Sequence, residues 1–146
     1  MRSSLVARVC VVLIGLTFLP AGLQAAFAPR RFYDDFPFDR HWVAMVGPAY
    51  NEHLVRDVGD LNLALAVVMI AAAVSLTRPV VIAAALATLV YSVPHFAYHA
   101  ANLQTVAAGD RAAELASLAV PILLGVVVLA VLPAASATTN PGGPSS

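Results

Sequence analysis

The chain has 146 residues, 60% of them apolar and only 11% charged, with a mean hydropathy of +0.83. A soluble domain carries about 25% charged residues, so too little polar surface remains for a water-soluble globule, and the class is integral membrane protein. Net charge is zero, all eight cations are arginines and Cys10 is the sole cysteine, which excludes a basic nucleic-acid face, a disulfide framework and a cysteine-rich metal motif.

Four apolar stretches approach the roughly 20 residues that a membrane helix needs: about 9–28, 58–76, 80–101 and 115–132. Helix is the one open-ended fold that satisfies its own backbone groups in lipid, so the predicted fold is all-α, a four-helix integral membrane bundle over residues 1–133. The first run also has features of a secretory signal: Arg2 and Arg8 lie ahead of or beside it, and Ala26-Phe27-Ala28 fits a small-x-small cleavage site. Its apolar run is longer than a signal core, however, and Pro29 would follow the cut directly, so an uncleaved span is the reading adopted. Pro20, Pro94 and Pro121 fall inside spans, where neighbouring groups can re-satisfy the freed backbone.

The segment from Pro29 to Tyr50 holds Phe32, Tyr33, Phe36, Phe38, Trp42 and Tyr50, six of the eleven aromatics. A solvated linker would not concentrate its aromatics in this way. Trp and Tyr favour the headgroup region, and the segment is expected to lie on the membrane surface and pack over the bundle, with Trp42 and Tyr98 as interface anchors. His41 reads as a surface histidine of a short turn. Thr77-Arg78-Pro79 is the only separation between the second and third spans, so these form a tight antiparallel hairpin. Gly109-Asp110 marks a turn and an N-cap before the fourth span. The tail over 134–146, rich in turn formers, is expected to be disordered. Arginine counts favour the long loop on the cytoplasmic side, whereas the signal-like N-terminus favours both termini there; the second orientation is adopted, in the cell membrane.

Polar residues gather where the second and third spans meet one membrane face. Asn51 is a plausible N-cap. Beyond it, His53, Asp57 and Asp60 follow i, i+4, i+7 spacing on one stripe, with Glu52 and Arg56 able to pair alongside. On the third span His95, His99 and Asn102 repeat that spacing, and Tyr91 lies one turn deeper. Ionisable groups within a span usually face a bundle interior, so His95 and His99 are expected to face Asp57 or Asp60 across the hairpin. Three readings fit: a hydrogen-bonded network that locks the hairpin, a metal or haem site built on the i, i+4 histidines, and a proton-linked quinone or small-molecule site. The metalloprotease glutamate is absent, since Phe96-Ala97-Tyr98 separates the histidines. No Ser-His-Asp spacing, phosphate loop or nucleotide fingerprint occurs.

The pattern RDVGDLNLALAVV at 56–68, followed by a short turn and a histidine-bearing third helix, resembles small four-helix bacterial membrane proteins of the DoxX-like kind. The loop FAPRRFYDDFPFDRHW, joined to NEHLVRDVG, also resembles a group of bacterial membrane proteins without an assigned reaction. The resemblance covers most of residues 20–105 and implies quinone or sulfur redox chemistry; the lone Cys10 departs from it, because thiol redox work needs a cysteine pair. The resulting expectation is a multi-pass accessory or binding protein with a His/Asp cluster near one membrane face. The alternative is a redox, metal, haem or quinone protein using the same cluster. Its partners are lipid and possibly another membrane protein or a second copy, with no nucleic acid.

Overall fold

The computed structural model describes residues 2–47 and 49–132, with side chains from Ser4 onward; the tail expected to be disordered lies outside the described residues. All regular structure within them is helical. Six helices follow in order: α1 (Arg2–Phe27), α2 (Pro29–Asp35), α3 (Trp42–Val46), α4 (Glu52–Ser75), α5 (Arg78–Ala101) and α6 (Arg111–Val131), with a 3-10 turn at Leu103–Thr105. The four long ones are apolar and long enough to cross a membrane; a 24-residue helix is about 36 Å long.

The long helices form an antiparallel ring in which α1 packs on α4 and α6, and α5 on α6 and α4. The α1–α4 interface is the most extensive, and its sequence basis is a pair of stripes. Ala7, Val11, Ile14, Phe18, Gly22 and Ala25 recur at three- and four-residue steps along α1; Gly59, Asn62, Ala66, Met69 and Ala72 do so along α4. Small residues let the two backbones approach, as membrane helices require when lipid offers no hydrophobic drive for association. A Cβ on Gly59 would collide with the Ala26 backbone and lie 2.8 Å from the Ala25 carbonyl carbon.

The hairpin is tighter than its sequence suggests. Only Leu76 and Thr77 separate α4 from α5; Leu76 takes a left-handed φ of 49° to turn the chain. Arg78 and Pro79 already belong to the first turn of α5, where proline's missing N–H leaves nothing unsatisfied. Asn51 caps α4, accepting from the Leu54 N–H at 3.3 Å. Asp110, by contrast, has helical φ/ψ and makes no cap bond. Asp110 does stand at the expected N-cap position of α6, but its carboxylate pairs with Arg40 instead, a tether between two loops.

That tether helps hold α2 and α3 as a cap over one end of the ring. Trp42 and Val46 bury themselves against Val106, which follows the 3-10 turn, and the Tyr98 hydroxyl donates to the Val46 carbonyl at 3.4 Å. Of the six loop aromatics, Phe32 and Trp42 are buried, Tyr33, Phe36 and Tyr50 are half-buried, and Phe38 is exposed. Trp42 is thus a core residue of the cap and not an exposed anchor. Arg56 of α4 reaches the Ala26 carbonyl at the end of α1, fixing the loop's two ends together.

Outward-facing residues such as Leu16, Val67, Ile70, Leu86, Val90 and Leu123 are large, apolar and exposed. An exterior so continuously apolar suits lipid and would be a liability in water.

Two expectations test this packing. Gly59→Ala should destabilise the bundle by about 1–3 kcal/mol, through overpacking at a backbone that cannot yield, while Gly109→Ala, whose added Cβ meets nothing within 4 Å, should change stability by under ~0.5 kcal/mol; reversible unfolding in mixed detergent reads both. Because α1 supplies Ala7, Val11, Ile14 and Phe18 to the core, the protein purified from membranes should retain residues before Pro29. An N-terminal peptide map starting at Pro29 would contradict it.

Candidate functional site

The half of the ring remote from the cap is close-packed: Val11, Ile14, Met69, Ala72, Val81, Ala84 and Val128 are each no more than 1% exposed. Towards the cap the helices enclose a cavity of about 740 Å³, partly open at its edge. Its wall draws on α1, the cap and all three remaining long helices and is predominantly apolar, with Phe18, Phe32, Phe36, Trp42, Tyr91 and Tyr98 among its residues. Ligand sites in proteins have this character: an apolar hollow of some 300–1,000 Å³ with a few placed polar groups.

The polar groups come mainly from α5 and α6. His99 Nδ1 lies 2.7 Å from Glu114 Oε1, and Glu114 is 1% exposed. Beside it the His95 ring meets the His99 ring edge-on at 4.7 Å and stacks on Tyr91 at 5.4 Å. Tyr91 in turn accepts a hydrogen bond from Asn62 Nδ2 at 3.0 Å, whose second hydrogen reaches the Val58 carbonyl at 2.8 Å. Phe18 closes on Tyr91 edge-to-face at 5.6 Å. A continuous polar row therefore runs from α4 through α5 to α6 along the cavity wall.

The expected cluster is divided by this arrangement. His95, His99 and Tyr91 line the cavity. Asp57 and Asp60 do not: both are exposed on the outer side of α4, and Asp57 pairs with the still more exposed His53 at 3.2 Å. Glu52 and Arg56 pair at 2.8 Å, also outside the wall. Asn102 ends α5 and donates to the Tyr98 carbonyl at 2.8 Å. The physical reason is the rotation of α4. Gly59 must face α1, and positions 57 and 60, two residues before it and one after, are then carried outward, since each residue turns about 100°. Asn62, three residues from Gly59, is the polar side chain brought inward.

The acid opposite the histidines is Glu114, from α6. It lies at the end of the buried stripe Pro121, Gly125 and Val128, seven residues before the proline, and so shares their face. That periodicity was the available signal; placing the start of the fourth span at Leu115 left Glu114 in the preceding loop.

Three wall residues each carry a buried polar atom that lacks a hydrogen-bond partner: Trp42 Nε1, Ser92 Oγ and Glu114 Oε2. They are 9%, 3% and 1% exposed. Such an orphan costs roughly 1–3 kcal/mol when nothing meets it, so these three atoms are hydrogen-bonding capacity that the described side chains leave unused. Among the described residues no three His, Cys, Asp or Glu side chains gather as a ligand set for a metal ion. His95, His99 and Glu114 are the nearest approach, with one His99 nitrogen and one Glu114 oxygen engaged with each other. Comparisons with protein families, curated proteins and solved structures find no match to this chain.

Cross-linking distinguishes the two arrangements of the histidines. With Cys10 replaced by serine, cysteines at 99 and 114 should be joined in membranes by a short bis-methanethiosulfonate reagent that spans the two side chains they replace, whereas a 57/95 or 60/99 pair should not. His99→Ala should also lower stability by about 1–3 kcal/mol by stranding Glu114. A 57/95 cross-link, with none at 99/114, would restore the hairpin-facing assignment.

Proposed function

We propose that this protein is a multi-pass protein of the cell membrane that binds an amphipathic small molecule in the cavity between the cap and the bundle. The ligand's apolar part would lie among Phe18, Phe32, Leu118 and Pro121, and its polar group against the row formed by Ser92, His95, His99 and Glu114. The observation that carries this reading is the coincidence of a largely apolar hollow with three buried, unpartnered polar atoms in its wall. A purely structural network would leave its members satisfied, because a half-satisfied buried polar network is worse than an apolar core. Kinship with DoxX-like bundles is compatible with this reading at the level of a small four-helix membrane binder. The quinone chemistry implied there is one candidate for the cavity, while cysteine chemistry has no second thiol to use.

Photolabelling tests it. A neutral alkyl diazirine added to membranes should label Phe32, Leu118 and Pro121 in a saturable manner, over and above the lipid-facing Val67, Ile70 and Val74. Ser117→Phe, which fills the cavity from α6, should remove the inner labels and leave the outer ones. Labelling confined to the outer face in the unmodified protein would end the binding reading.

A further inference from the structure

The polar end of the cavity has a definite chemical preference, and we infer that its ligand is an amphiphile carrying a protonated amine, held by the free oxygen of Glu114. The inference rests on the proposed binding role and specifies the ligand's class.

Among the described residues Glu114 is the only carboxylate in the cavity wall. His99 occupies Oε1, and Oε2 is buried with no donor. Among the described residues the chain brings no unpaired lysine or arginine to that oxygen. It has no lysine, and the one arginine of the wall, Arg40, is already paired with Asp110. An ionised carboxylate oxygen only accepts hydrogen bonds, so a ligand that brings an N–H completes it.

The surroundings favour an ammonium over a neutral hydroxyl. A charge-assisted N–H···O⁻ bond is roughly twice as strong as a neutral one, and low dielectric raises the difference further. Tyr91, Tyr98 and Trp42 add ring faces to the wall, and aromatic faces attract cations by their quadrupoles. An anionic headgroup meets the opposite situation, since its negative charge would sit against an unscreened carboxylate. Ser92 Oγ, also unpartnered, provides a second acceptor for an ammonium with three hydrogens.

Trp42 is the chain's sole tryptophan and lines the same cavity, so its fluorescence reports occupancy without a label. The protein in lipid nanodiscs is titrated with three short bromoaryl amphiphiles of equal size, which keep the bromine near the headgroup: 4-bromobenzylamine, 4-bromobenzyl alcohol and 4-bromobenzoate. Bromine quenches tryptophan at short range. The expected result is saturable quenching by the amine at about tenfold or more lower concentration than by the alcohol, with the carboxylate weakest. Glu114→Gln should abolish the amine's advantage over the alcohol while retaining helix content and quenching by the alcohol. Saturable quenching at equal concentrations by all three overturns the ammonium inference and leaves the binding reading standing. Linear, unsaturable quenching by all three, the behaviour of amphiphile dissolved in the bilayer, overturns the binding reading itself. An amine preference that survives in Glu114→Gln overturns the assignment to Glu114, and the comparison of headgroups in the unmodified protein stands whether or not that variant folds.

Discussion

The close contact of Gly59 with the Ala25–Ala26 backbone sets the rotation of α4, and most of the site's arrangement follows from that rotation. With no Cβ at position 59, the two helices meet backbone to backbone at the cap end, in the manner of small-residue membrane interfaces. Once Gly59 faces α1, Asn62 is carried inward to Tyr91, and Met69 lies against Gly15 and Thr88 further along. Asp57 and Asp60 are carried outward by the same turn. The charged stripe of α4 thereby becomes an exterior feature, satisfied along its own helix by His53–Asp57 and Glu52–Arg56 pairs. Helix ends near the headgroups tolerate such pairs, whereas the same residues deep in the ring would each need a partner.

The interior polarity is supplied by α5 and α6, and it is confined to the cap end. Glu114, Ser92 and the two histidines all sit where the helices diverge, and the cap covers them with Trp42 and Val46. The cap is fastened to α5 through Tyr98 and to the α5–α6 connection through Arg40 and Asp110, while Arg56 and the Ala26 carbonyl join the ends of α4 and α1 between which it runs. Individually these are modest interactions, and the Arg40–Asp110 pair is partly solvated, so it counts for little by itself. Together they over-determine the position of a segment with few buried residues of its own.

Much of this was legible in the sequence. The four spans, the ordered aromatic segment, the Asn51 cap and the inward face of Tyr91, His95 and His99 all follow from hydropathy and spacing. Two matters were not. Chain connectivity suggested that α5 should look towards α4, its hairpin partner, yet a helix in a four-membered ring has two neighbours and the sequence does not say which one a polar face prefers. The choice fell to α6, because α4 presents its small residues to α1. The second matter was the boundary of α6. Hydropathy placed the start of that helix after Glu114, since a single acid lowers the average of any window, although the stripe through Pro121, Gly125 and Val128 passes through it. Where a span begins is decided by helical phase and partner, and composition alone registers neither.

The division of the ring into a close-packed half and a hollow half also bears on how such a protein can change. Substitutions around Ile14, Met69 and Val128 remove contacts with no room to relax, so their cost falls on folding itself. Residues such as Ala113, Ser117 and Leu118 border empty space, and a change of size or polarity there alters the shape of the hollow while the remote half keeps the helices assembled. The close-packed half therefore acts as a fixed base, and the cavity wall is free to change shape over evolutionary time without the chain passing through an unfolded sequence.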